Sequence, residues 1–264
     1  YYEEAAKFAD DYAELKKRQK SGEFVTNTGT KKRRFRRVES KITAKGARAI
    51  FYRQFLEYKK EKYFIFTKMT VLSAVVAFIF AYSLQKSVSD SSMAGFILLG
   101  VVAYVALIMS GYTGKWESEL KNPYIFLIPD SPLKKMWYAT LMEHVKAFAD
   151  GCIICIPIGI FWHVPVIEII YCILIYTVLQ ADRLYTMVIV QSLLGEVFGK
   201  TGQSLLRMFI QMALLGVGAG VGVLAAVLIS QTLIFPIVLI YGLMITVAMG
   251  AIALLRFDTM EQFV

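Results

Sequence analysis

The last three quarters of the chain consist of long apolar runs joined by short polar connections, whereas the first quarter is polar and charged. A hydrocarbon core ~30 Å thick takes roughly 20 helical residues to cross. Six runs meet that ruler: 64–84, 94–113, 145–163, 166 to about 190, 207–229 and 233–255. All are far longer than the roughly 4–8 residues of a buried strand. Pro157 interrupts the third and Asp182-Arg183 the fourth, which blurs their edges. The pattern predicts an all-α integral membrane fold with six transmembrane helices. Ahead of them, residues 2–20 carry Phe8, Tyr12 and Leu15 at helical spacing, and Ser21-Gly22 ends that pattern. From 40 to 62, Ala47, Phe51, Phe55 and Tyr58 recur with basic flanks. That predicts an N-terminal amphipathic helix lying in the membrane interface, or one packed on a partner or another subunit. The domain reading is a basic cytoplasmic segment with an interfacial helix, 1–62, and a six-helix transmembrane domain, 63–264, with a cytoplasmic segment at 114–144.

Charge supplies the orientation. The chain of 264 residues has a net charge of +9, and residues 1–62 hold 18 Lys/Arg against 9 Asp/Glu, while the rest holds 11 of each. Basic residues near span ends stay on the cytoplasmic side. Lys115, Lys121, Lys134, Lys135, Lys200 and Arg207 fall in alternate connections, and the intervening ones carry only Lys86. Both termini are therefore expected in the cytoplasm, and the external loops are short. The composition excludes a disordered chain, a disulfide scaffold and an ordinary soluble nucleic-acid-binding domain. Six cations in residues 31–37 suit anionic lipid headgroups, at ~1 kcal/mol per basic residue; a solvated linker is the other reading, and nucleic acid is not expected as a partner. Residue 1 is Tyr, and Tyr1-Tyr2-Glu3-Glu4 opens directly into a charged helical pattern, so the chain is expected to begin inside a longer polypeptide.

Motifs of catalysis are missing from the text. No Gly-x-x-x-x-Gly-Lys-[Ser/Thr] loop occurs, so ATP cannot be held by a P-loop of this chain, and no Gly-x-Ser-x-Gly elbow occurs. Glu143-His144 and His163 do not have the spacing that converges metal ligands, and no metal site is expected. Cys152, Cys155 and Cys172 lie in apolar runs and read as packing residues. Gly216, Gly218, Gly220 and Gly222 form two Gly-x-x-x-Gly edges on one helix, which allows close helix packing, a seam to another half or copy included; a gating hinge is the alternative. Asp182 and Arg183, being adjacent, point to different sides of their helix. Intramembrane charge often marks a cavity or polar site, yet Arg183 could also reach the interface without any function.

The most distinctive stretch is Trp116-Glu117-Ser118-Glu119-Leu120-Lys121-Asn122-Pro123-Tyr124-Ile125-Phe126-Leu127-Ile128-Pro129-Asp130-Ser131-Pro132-Leu133-Lys134-Lys135. Asn122-Pro123 interrupts a first helix. A short apolar helix follows and stops at Pro129, and Asp130 or Ser131 can cap the next helix with Pro132 in its first turn. Tyr124 to Leu127 then have no core of their own and are expected to need a docking partner. This segment resembles the membrane subunits of ABC-2-type (type V) ABC exporters, and more closely a group of bacterial ABC exporters sharing the Trp-Glu-x-Glu-Leu-Lys-Asn-Pro-Tyr-Ile-Phe-Leu-Ile-Pro text. The resemblance spans nearly the whole chain and is specific at 116–139. It implies a permease subunit, the C-terminal membrane half, whose coupling segment 114–144 is gripped by a separate ABC ATPase subunit that binds ATP and Mg. It further implies a second membrane half or a homodimer mate; the apolar character of the spans suits a peptide, lipid or amphiphile as cargo better than a strongly charged solute. The coupling residues carried over are Trp116, Glu117, Glu119, Asn122 to Leu127, Pro129 to Pro132, Lys134 and Lys135. Two rivals remain: an ion-coupled secondary transporter using Asp182-Arg183, and a membrane-anchored assembly or regulatory protein using the basic segment.

Overall fold

The computed structural model describes residues 44–60, 64, 66, 68–84, 91–111, 115–120, 124–194, 199–228 and 233–262. The expected helix at 2–20, the polar stretch and basic run at 26–37, the Lys86 connection, Asn122, Pro123 and residues 230–232 lie outside them. The described residues form nine helices and no strand: α1 Arg48–Lys60, α2 Lys68–Leu84, α3 Ser91–Ser110, α4 Lys115–Leu120, α5 Tyr124–Leu127, α6 Pro132–Phe161, α7 Val166–Leu194, α8 Gly199–Leu228 and α9 Ile234–Gln262. Five of them, α3 and α6 to α9, are long and apolar enough to cross a membrane, which makes the chain a multi-pass membrane protein. The apolar part of α2, Thr70–Leu84, is shorter than that.

Helix ends follow from local chemistry. Ser131 sits at the N-cap of α6 in extended geometry, with Pro132 behind it, and Ser131 O accepts the first helical bond from the Lys135 N–H at 3.1 Å. The Ser131 side chain makes no capping bond. At the other end the Val164 N–H reaches Gly159 O at 2.9 Å and the His163 N–H reaches Ile160 O at 3.2 Å. With His163 at φ 56°, this is the paired-bond helix stop in which one left-handed residue lets the chain reverse. His163 is thus a turn residue. Pro157 does not break α6, which runs through it.

Helices overrun the predicted spans at the ends expected to be cytoplasmic. α6 starts at 132 instead of 145, α8 at 199 instead of 207, and α9 continues to 262 instead of 255. Hydropathy misses the turns at 132–144 and 199–206 because they carry Lys135, Glu143 and Gln203, all buried among other helices, as are Lys146 and Arg207 at the starts of the predicted spans. Two apolar cores result. One joins α2, α3, α6 and α7 through Leu98, Val102, Val105, Ile154, Ile158, Cys155 and Cys172, with the two thiols serving as small core side chains. The other gathers the overhanging ends around Trp116, Phe126, Ala139, Leu184, Val188, Ala253 and Phe257. α7 is the central element: its apolar window is 67% buried, against 6% for α9, and it packs on α3, α6, α8 and α9.

Candidate functional site

The segment between the second and third predicted spans folds into α4 and α5 beneath the bundle. On α4, the Trp116 side chain is fully buried and its indole N–H donates to Leu184 O of α7 at 3.2 Å. Glu117 is buried within electrostatic reach of Arg207 on α8. Glu119, also buried, pairs with the Arg53 guanidinium of α1. A six-residue helix has almost no stability of its own, so these three anchors to three other helices are what fix it.

α5 differs from the expectation that its apolar face lacks a core. Ile125 and Phe126 are buried, and the Phe126 ring lies 5.1 Å from that of Phe257 on α9. The overhanging ends of α7 and α9 supply the core that the segment alone could not. Leu127 stays 67% exposed. The Lys135 ammonium, itself buried, donates to Phe126 O at 3.1 Å and so closes the C-terminal end of α5. Around Leu127 an exposed rim remains, formed by Pro129, Leu133, Lys134 and Trp137. Asn122 and Pro123, and the Tyr124 side chain, lie outside the described residues.

Asp130 ties this region to the start of α1. Its Oδ2 accepts the Ala47 N–H at 3.2 Å, its Oδ1 the Ser131 N–H at 3.0 Å, and Lys134 lies 3.5 Å away. Those bonds, the one from Ala47 foremost, hold its carboxyl below the ordinary value of 3.8. Gly46 makes the contact possible: its φ is 63°, and a Cβ there would meet Asp130 Oδ2 at 2.9 Å.

α1 is a strap over the same region. Ile50, Gln54 and Tyr58 form its buried face, whereas Phe51 and Phe55 of the expected aromatic stripe are half-buried and stack on each other at 6.3 Å. The Gln54 amide donates to Ala139 O at 3.0 Å and the Tyr58 hydroxyl to Glu143 Oε1 at 3.2 Å. Each pair is separated by the same 85 positions, so α1 and the foot of α6 advance in the same sense, one helical turn per bond. α1 therefore buries a polar-bonded face on α6. The sequence reading missed Gln54 and Phe257 and took Arg207 only as a marker of orientation, whereas it did single out Lys135; the usable signal for the strap was Gln54 and Tyr58 at i and i+4 in line with Ile50.

Higher in the bundle Asp182 and Arg183 separate, as adjacency on a helix requires. Arg183 is buried and donates to Met109 O of α3 at 3.1 Å, beside Glu143, Lys146 and Asp150. Asp182 faces the other way, into a cleft of about 400 Å³ bounded by α3, α7, α8 and α9. The glycines of α8 also divide. A Cβ on Gly218 would sit 3.0 Å from Tyr241, and one on Gly222 would sit 3.3 Å from Val238, so that edge packs on α9. Gly216 and Gly220 face open space.

No curated protein and no solved structure matches this chain. A family model does match, over nearly the full length and including the α4–α5 segment on which the resemblance was drawn. The chain belongs to the Putative ABC exporter family, whose model covers residues 1–261.

Proposed function

We propose that the chain is the transmembrane permease subunit of an ATP-driven exporter, with α2 as a sixth span, both termini in the cytoplasm and the bacterial plasma membrane as its location. A separate ABC ATPase, which binds ATP and Mg, docks on the rim of Leu127, Leu133, Lys134 and Trp137. The observation that carries this reading is the division of labour within α5: Leu127 is offered outward while Phe126, its neighbour, is locked against Phe257. A force applied at the rim is delivered to α9 directly, and to α7 through the Trp116 bond to Leu184. Closure of two ATPase domains would tilt the bundle and open a route between this membrane half and a second half or a homodimer mate. The cargo class is a peptide, lipid or amphiphile. Anionic headgroups would meet the basic run at 31–37.

The test is co-purification. Tagged chain carrying Leu127→Asp and Leu133→Asp should lose a P-loop ATPase subunit that wild-type chain retains, with an unchanged helical spectrum because both side chains are exposed. Retention of the ATPase by the double variant would overturn the docking assignment. Transport that persists in ATP-depleted vesicles under an imposed ion gradient would instead support the secondary-transporter reading.

A further inference from the structure

The cleft beside Asp182 has the features of a ligand site. It runs along α8 from Leu214 to Ala226, about 18 Å at ~1.5 Å rise per residue, the scale of a medium-length hydrocarbon chain. Its volume of about 400 Å³ lies within the roughly 300–1,000 Å³ typical of small-molecule pockets. Of the side chains lining it, Asp182 is the one that can carry charge near neutral pH, and Tyr241 is the one other polar group. The remainder are aliphatic, aromatic or glycine.

The polar end is built rather than incidental. Asp182 is 2% exposed, with Thr246 alongside it, yet its Oδ1 has no hydrogen-bond partner. The nearest cation in sequence, Arg183, is turned to the opposite side of α7 and committed to Met109 O. A buried acceptor left unmatched is costly, and a matched cationic donor removes that cost. The Tyr241 hydroxyl donates to Leu214 O at 3.1 Å, so its oxygen is left to accept a hydrogen bond from a cationic donor seated at Asp182. Tyr241, which lies within electrostatic reach of Asp182, bonds to Leu214 O, and this puts the carboxylate at the Leu214 end of the cleft, with the apolar lining continuing along α8 to Ala226.

We infer that this cleft binds a single-chain cationic amphiphile, a primary amine seated on Asp182 with its hydrocarbon chain laid along α8 toward Ile234. The binding belongs to this chain alone, so it holds or fails independently of ATPase docking.

The experiment uses the full chain in phosphatidylcholine nanodiscs, with radiolabelled dodecylamine and dodecanol as probes and protein-free discs subtracted. Dodecylamine should bind saturably and about tenfold more tightly than dodecanol. Asp182→Asn should reduce it to the dodecanol level, and Asp182→Glu should retain the preference. Gly100 lines the cleft and a Cβ there meets nothing within 4 Å, so Gly100→Leu should fill the space without displacing a helix and remove the saturable binding of both probes. Equal affinity for amine and alcohol, unchanged amine binding in Asp182→Asn, or saturable binding that survives Gly100→Leu would each overturn the assignment.

Discussion

The Phe126 ring of α5 rests 5.1 Å from the Phe257 ring near the end of α9, with Phe257 fully buried. This contact joins a four-residue helix below the bundle to the last long helix of the chain. It also predicts how each partner responds to change. Phe257→Leu keeps an apolar side chain of similar bulk, at a cost of under about 1.5 kcal/mol. Phe257→Ala removes the ring and should cost roughly 3–5 kcal/mol. Thermal unfolding in detergent should therefore rank wild type, Phe257→Leu and Phe257→Ala in that order. A Phe257→Ala midpoint equal to wild type would show that the two rings do not hold the segment.

The strap makes a second prediction. Arg53 is 40% exposed but its partner Glu119 is 7% exposed, so the pair is asymmetric. Arg53→Ala strands a buried carboxylate and should cost about 1–3 kcal/mol, more than a surface pair would. Glu57→Ala, which removes only the exposed Arg53–Glu57 pair on the same helix, should be near neutral. Equal midpoints for the two variants would count against the strap.

Much of this architecture could be read in the sequence, and the failures share a cause. The six apolar runs located every long helix among the described residues, because twenty apolar residues have few other uses. The resemblance at 116–139 singled out the segment that does become α4 and α5. Hydropathy could not see that Lys135 and Glu143 belong to a long helix, because it treats a charged residue as an end, although the Ser131-Pro132 cap signal did mark where that helix starts. Here those charges are buried and bonded, as Lys135 is to Phe126 O. Nor could a local reading see that Ile125 and Phe126 have a core, since that core comes from Leu184 and Phe257, some 60 and 130 positions away. The splitting of Asp182 from Arg183 was legible, because it depends only on helix geometry. The cleft that Asp182 faces is made by four helices, and no window of one of them encodes it.

A third prediction concerns pH. The folded carboxyl of Asp130 is held below its ordinary 3.8, foremost by the Ala47 N–H. A depressed value means that the stabilisation is fully present above the unfolded value and is lost as pH falls through the folded one. The difference in thermal midpoint between wild type and Asp130→Asn should be constant from about pH 7 down to about pH 5 and shrink below about pH 3.8. A difference that grew on acidification would have the wrong sign.

The two glycine edges of α8 make a fourth. Gly218→Ala drives a Cβ to 3.0 Å from Tyr241 and should destabilise the α8–α9 contact by roughly 1–3 kcal/mol. Gly216→Ala meets nothing within 4 Å and should instead stabilise the helix by up to about 1 kcal/mol. Unfolding midpoints of the two single variants check the pair; shifts of the same sign would contradict the assignment of edges.

The central claim is that Leu127 faces an ATPase subunit, and site-specific photo-crosslinking measures this most directly. A photoreactive residue placed at 127 in membranes holding the full exporter should yield an adduct with a P-loop ATPase. The same residue at 82, where Tyr82 is 76% exposed on α2 at the end away from α5, should yield none. An ATPase adduct from 82 but not from 127, or from neither position, would contradict the account.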